Sequence, residues 1–295
     1  MKSKILIISL FFTLIQYQSL WSMESKELKE IIESIVGSEN KTKEKNNSYK
    51  KENPEIIADK QKPVKEKSES EKSKSVSFPS PDEALLKSGI QLFEASLYKN
   101  SQQKLEELKS KYPESRYKDI ASIWLSKIHV ELNNYNEAIN VLNSIKHESG
   151  EYPTALFYIA EINLRKGDES GAIEYFYRVV SLSPDHELAD DSLISISKLY
   201  LKNSKGNQAL EAAIRIIKYY EKRETIDDAY FIMAQVFEKD PLLKDIGIAR
   251  KIYKIFIKKA TIDNAQYFFN SPLLSRVKAN LKNIENTYYS KAFID

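Results

Sequence analysis

From Asp82 onward the chain repeats itself, and this period limits the fold more than any other feature. The clearest unit, Pro153 to Pro184, carries Leu156, Ile159, Ala160, Gly167, Asp168, Ala172, Phe176, Val179 and the closing Pro184. Apolar residues at helical spacing on either side of Lys166-Gly167-Asp168 predict two amphipathic helices with a break between them. Ala160 and Ala172 sit where two helix backbones must approach, and Phe176 is large enough to fill the wedge beside them. Aligning these small positions finds four more units, starting at Asp82, Asp119, Asp190 and Asp227, so that starts recur every 34 to 37 residues. Such a period means stacked helix pairs, each burying the apolar face of its neighbour.

Each copy keeps the pattern with its own residues. The first has Gly89 and Ser101 at the two small positions. The second has Ser126 and Ala138, with a corner at Asn133-Asn134; the fourth has Ser197 and Ala209. The fifth has Ala234 and Ala249 around a longer corner through Asp240-Pro241. Only 7 Gly and 9 Pro occur in 295 residues, against about 7% and about 5% in average proteins. That scarcity argues against turn-rich sandwiches, barrels and wound α/β sheets. Four units open with Asp, a residue able to cap a helix N-terminus. After Ala260, the stripe Leu274, Val277, Leu281, Ile284 and Tyr288 predicts a terminal helix over Pro272–Ser290 that covers the last repeat.

The order large apolar, small, small, aromatic, proline resembles the tetratricopeptide repeat, a unit of 34 residues. The resemblance implies an all-α solenoid of about five helix pairs (82–118, 119–152, 153–189, 190–226, 227–260) with a C-terminal capping region over 261–295. The phrases Tyr112-Pro113-Glu114-Ser115 and Ser183-Pro184-Asp185-His186 are similar to those of bacterial cell-envelope arrays of the BamD and YbgF types. The chain has no cysteine, whereas BamD-type proteins are tethered through an acylated one. YbgF-type proteins carry a longer N-terminal coiled coil than Glu24–Val36 could form.

Lys2 and Lys4 precede the apolar run Ile5–Leu14 and a more polar stretch to Ser22, the order of a secretory leader. The alternative for 1–22 is a retained anchor: Ile5–Trp21 lies at the lower length limit for a span of roughly 30 Å. Both place the rest of the chain outside the cytoplasm, in the periplasm or at a membrane facing it. Residues 23–81 read as a Lys/Glu/Ser-rich disordered linker with one short amphipathic helix over 24–36, because the remainder is too poor in apolar residues to offset its ordering entropy. Formal charge is +3 with both signs dispersed, which gives no electrostatic case for nucleic acid.

A stack of helix pairs presents a concave wall made mainly by the first helix of each pair. The fifth residues of the units are Leu86, Ile123, Phe157, Ile194 and Phe231; the twelfth include Phe93, Val130, Leu164 and Leu201; the ninth include Lys127, Glu161 and Lys198. Together with Lys202 these form the expected partner-binding groove, suited to an amphipathic helix or an extended apolar segment of an envelope protein. The competing assignment is that they pack onto adjacent repeats or onto the capping helix. Related arrays that clamp a C-terminal carboxylate use Lys or Arg with Asn at these positions; the pairs here, Leu86/Ile90, Ile123/Lys127, Phe157/Glu161, Ile194/Lys198 and Phe231/Gln235, argue against that clamp.

Catalytic candidates are poor. With Cys at 0, thiolate nucleophiles and thiolate zinc sites are excluded. His129 reads as a structural histidine with no partner His four residues away, and His147 and His186 fall in loops. Asp190-Asp191 and Asp227-Asp228 open helices, where negative charge is favoured by the free amides. The sequence thus predicts a noncatalytic exported scaffold for envelope proteins, in outer-membrane or envelope assembly, without cofactor or metal, its membrane association confined to residues 1–21 and its oligomeric state open; the alternatives are a membrane-anchored adaptor or an accessory factor of a peptidoglycan-active enzyme.

Overall fold

The computed structural model describes residues 79–289. The leader or anchor over 1–22, the short helix over 24–36 and the linker up to residue 78 lie outside the described residues. Those described form twelve α-helices and no strand. Five antiparallel pairs follow one another: α1 (Pro81–Glu94) with α2 (Tyr98–Lys111), α3 (Lys118–Glu131) with α4 (Tyr135–Asn143), and α5 (Tyr152–Lys166) with α6 (Glu169–Leu182). Then come α7 (Ala189–Lys202) with α8 (Gly206–Tyr219), and α9 (Ile226–Lys239) with α10 (Ile246–Thr261). A single turn, α11 (Gln266–Phe269), leads into α12 (Leu274–Ile284), whose end winds into a π-helical turn over Glu285–Tyr289.

The corner inside each pair is set by one backbone position. Ser96, Asn133, Gly167 and Ser204 occupy equivalent places in the first four units, and all four have positive φ. The amide of the next residue donates back to a carbonyl five residues earlier, as from Asp168 to Asn163 at 2.8 Å and from Lys205 to Tyr200 at 2.9 Å. A left-handed residue closed by such a bond satisfies the orphan carbonyls at a helix C-terminus. The fifth unit departs from this: Asp240 is extended, and the turn is instead held by its carboxylate.

The small positions are buried in all five units, from Gly89 and Ser101 to Ala234 and Ala249. At the first pair the backbones come close enough for the Ser101 hydroxyl to donate to the Gly89 carbonyl at 2.7 Å. A Cβ at Gly89 would fall 2.6 Å from Leu105 Cδ2. Phe176 is fully buried, as are Leu105, Leu142 and Tyr253 at the corresponding wedge. The core therefore runs along the stack as three successive clusters, the last from Ala160 to Ile284.

The aspartates that open the units do not cap. They sit within the first turn of α1, α3, α7 and α9, and the N-cap residues of these helices make no side-chain capping bond. Instead Asp82 accepts from Ser115 at 2.6 Å, Asp119 from Ser149 at 2.6 Å, and Asp190 from Thr225 at 2.8 Å; the Ser271 hydroxyl stands at the equivalent place near Asp227, where it offsets part of the effect of burial on that carboxyl. Each bond ties the start of a unit's first helix to the loop that leads out of the unit. True side-chain caps fall on second helices, where Asp168 accepts from the Gly171 amide and Asp245 from the Ile248 amide, both at 2.9 Å.

Candidate partner-binding wall

First helices of neighbouring pairs touch one another, α1 with α3, α3 with α5 and α7 with α9, while no two second helices meet to the same degree. The first helices therefore line the shorter, inner wall of the stack.

The fifth positions of the units are core, not groove. Leu86 is 6% exposed, Ile123 5%, Ile194 5% and Phe231 7%, which leaves no face for a partner. The period alone could not assign them, because the fifth residue of a first helix lies between the inner wall and the facing second helix. Phe157 is half-buried, with its ring centroid 5.4 Å from that of Phe176 in an edge-on arrangement, so it too belongs largely to the interior. Phe93, Val130, Leu164 and Leu201 remain half-buried at the margins of the three clusters.

What stays accessible is a strip across the first three pairs. Phe93 on α1 meets the Trp124 ring on α3 edge-on at 5.2 Å. The Lys127 ammonium lies over Trp124 at 4.2 Å and over the Tyr158 ring of α5 at 4.8 Å. Trp124 and Tyr158 are both half-buried. They are the sixth residues of their units and were absent from the predicted set; two aromatics at one repeat position, each three residues before a charged ninth residue, were the signal available. Glu161, at the ninth position of the third unit, has its carboxyl pushed up by burial, an effect Arg165 partly offsets. The strip thus offers aromatic faces, one cation held between two rings and one poorly solvated carboxylate.

Beyond α5 the predicted charges are engaged. Lys198 pairs with Asp228 at 3.0 Å, and Lys202 and Asn203 both reach Glu169. The last unit is closed over. Helix α12 packs on α10, and its Arg276 guanidinium lies over the Phe231 ring at 5.1 Å. Asn280 donates to the Tyr253 hydroxyl at 3.0 Å, Gln235 donates to it at 2.8 Å, and that hydroxyl donates to Glu238 at 2.6 Å. Burial and this carboxylate acceptor hold the Tyr253 phenol well above its ordinary range. Eleven of the fourteen residues of α9 are buried in consequence.

His129 lies half-buried on α3 with its Nδ1 enclosed and without a hydrogen-bond partner. His147 is exposed and sits beside Glu148 at 3.1 Å, and His186 accepts from the Leu188 amide. Among the described residues no three His, Cys, Asp or Glu side chains converge as metal ligands. No described helix is long and apolar enough to cross a membrane.

The tetratricopeptide repeat family model matches residues 83–115 and 154–186, the first and third pairs. No curated protein matches the chain. Among solved structures, a tetratricopeptide repeat protein from Parabacteroides merdae superposes with a TM-score of 0.51 at 16% identity, over 70% of this chain and 73% of that one. MamA is similar at a TM-score of 0.48 and 16% identity, over 62% of this chain and 95% of its own. PilW, a type IV pilus biogenesis factor, follows at 0.46 and 14%, over 72% and 97%. The described array is a tetratricopeptide-type solenoid, an architecture that generally serves as a noncatalytic scaffold for binding proteins.

Proposed function

We propose that the chain is an exported scaffold that holds a segment of an envelope protein against the inner wall of its first three repeats. The observation that carries this reading is the continuous Phe93–Trp124–Lys127–Tyr158 strip, left accessible where the equivalent wall of the fifth repeat is sealed by α12. Aromatic rings flanking a cation suit a partner that brings an apolar anchor and a carboxylate, because the rings supply contact area at low entropic cost and Lys127 supplies the counter-charge. Export and an envelope partner are supported by the order of charge and hydropathy over residues 1–22 and by the resemblance of the inter-repeat phrases to BamD-type and YbgF-type arrays.

Crosslinking in cells followed by mass spectrometry identifies the partner, and the mature N-terminus read from the same sample separates a cleaved leader from a retained anchor. With the partner in hand, Lys127→Glu is expected to weaken capture at least five-fold with unchanged helicity, while Lys99→Glu on α2 leaves it intact. Equal capture by both variants would reject the inner wall as the docking surface. Mature protein recovered in the cytosol would reject the export reading.

A further inference from the structure

A second candidate site lies on the loop edge of the stack, at the N-terminal ends of α7 and α9 and beside α11. Two cavities of about 360 Å³ and about 400 Å³ adjoin there and share Asp191, Glu224 and Tyr267. Glu187 and Asp190 add further carboxylates to the first, and Asp227 and Asp228 to the second. Little positive charge answers these carboxylates. Lys198 takes Asp228 at 3.0 Å, and Arg223, which lines the first cavity, turns a guanidinium nitrogen to the Asp185 carbonyl at 3.4 Å.

Asp190 marks the site as incomplete. It lines the first cavity and is 2% exposed; its Oδ2 accepts from the Thr225 hydroxyl at 2.8 Å, and its Oδ1 is buried without a donor. A buried carboxylate oxygen without a hydrogen bond is costly, because the desolvation of that atom goes uncompensated. Next to it, the Asp191 carboxyl is pushed up by burial and by the charges of Asp190, Glu224 and Asp228. The clasp between Asp190 and Thr225 explains one oxygen of the pair and leaves the other with nothing to bind.

We propose that this pocket receives an arginine side chain from a partner protein. A guanidinium presents several N–H donors in one plane, which fits a cavity lined by carboxylates from two helices and by the Tyr267 ring, over which the plane can stack. The volumes far exceed the roughly 30 Å³ of one water, and the carboxylates do not gather as metal ligands. Both points favour a long organic cation over an inorganic one. The pocket is separate from the inner-wall strip, so its failure leaves that assignment standing.

The test is a titration of ¹⁵N-labelled full-length chain with the capped tripeptide acetyl-Gly-Arg-Gly-amide, followed by backbone amide shifts. Saturable shifts confined to residues 187–191, 223–228 and 266–271 are expected, at least three-fold tighter than with acetyl-Gly-Lys-Gly-amide. Asp191→Asn combined with Glu224→Gln should weaken binding at least five-fold while amides of α1 to α4 keep their positions. No saturable shift with the arginine peptide, equal affinity for the lysine peptide, the same shifts from calcium chloride alone, or unchanged binding by the variant would each overturn the proposal.

Discussion

Replacing Asp240 with alanine tests how the fourth and fifth repeats are joined. The Asp240 side chain is 3% exposed and accepts from three amides: Gly206 at 3.0 Å, Leu242 at 3.0 Å and Leu243 at 3.1 Å. Gly206 begins α8, so a residue at the end of α9 satisfies the N-terminus of a helix in the preceding unit. A Cβ on Gly206 would lie 2.6 Å from the carboxylate, which shows how tightly this junction closes. The Leu242 and Leu243 amides lie in a loop that water can reach, so their loss costs about 0.5 kcal/mol each at most. The Gly206 amide is buried; stranding it costs about 1–3 kcal/mol. The total for Asp240→Ala is about 1–4 kcal/mol, and about half of that for Asp240→Asn, whose single oxygen serves only one side of the junction. In a solenoid such a loss stays near its origin. Hydrogen exchange read by mass spectrometry should therefore show α8 and α9 losing protection while α1 to α3 keep theirs, with urea unfolding giving the overall cost. A change below 0.5 kcal/mol, or protection lost evenly along the stack, would refute the reasoning.

At the left-handed corner of the third pair, Gly167→Ala should cost about 1 kcal/mol by denaturant melting, whereas Gly150→Ala, which meets nothing within 4 Å and has no positive φ, should be neutral or slightly stabilising. Phe157→Ala should lower stability by about 1–3 kcal/mol, because the ring is half-buried against Phe176; a stability loss no larger than that of Lys127→Ala would return Phe157 to the docking surface. Asp191 and Asp227 both have carboxyls raised above the ordinary 3.8 by burial, so between that value and their folded-state values the native chain binds more protons than the unfolded one. Stability from this pair is full below the ordinary aspartate range and falls as pH rises through the raised values; Asp191→Asn should flatten that part of the pH profile of melting, and a profile parallel to that of the parent chain would refute the assignment.

The helix pairs were legible because their determinants are local. Ala160 opposite Ala172, the break at Gly167 and the wedge residue Phe176 are each dictated by close approach or by backbone conformation, and both leave traces in residue size. The open corner at Asp240-Pro241 was legible for the same reason. The inner wall was only half legible. A fifth-position residue such as Ile123 and a sixth-position residue such as Trp124 are adjacent on the helix, and which of them faces the hollow depends on how far each pair rotates against the next. That rotation is a property of the stack and not of any one unit. The role of Asp82, Asp119, Asp190 and Asp227 was missed for a related reason: an acidic residue in a first helical turn fits capping and the helix dipole equally well, and only the fold brings Ser115, Ser149, Thr225 and Ser271 to them.

Among the described residues the inner wall is closed over the last unit and open over the first three, and this bears on what docks there. A repeat stack must cover the apolar face of its last unit. Helix α12 does so with Val277 and Ile284 inside the core, and in doing so it places Arg276 over Phe231 on the inner wall. Closure of the last unit therefore covers inner-wall surface as well as exposed apolar area. The wall of the first three units keeps its aromatic faces and has Lys127 as its central cation. The edge near α7 and α9 carries the opposite sign, with Asp191 and Glu224 shared between two cavities. A single partner engaging both regions must present an apolar or acidic segment to the first and a basic side chain to the second. Joining the two contacts in one chain raises the effective concentration of the second once the first has formed. If one partner makes both proposed contacts, the array reads the order of charge along that partner and not merely the presence of one motif.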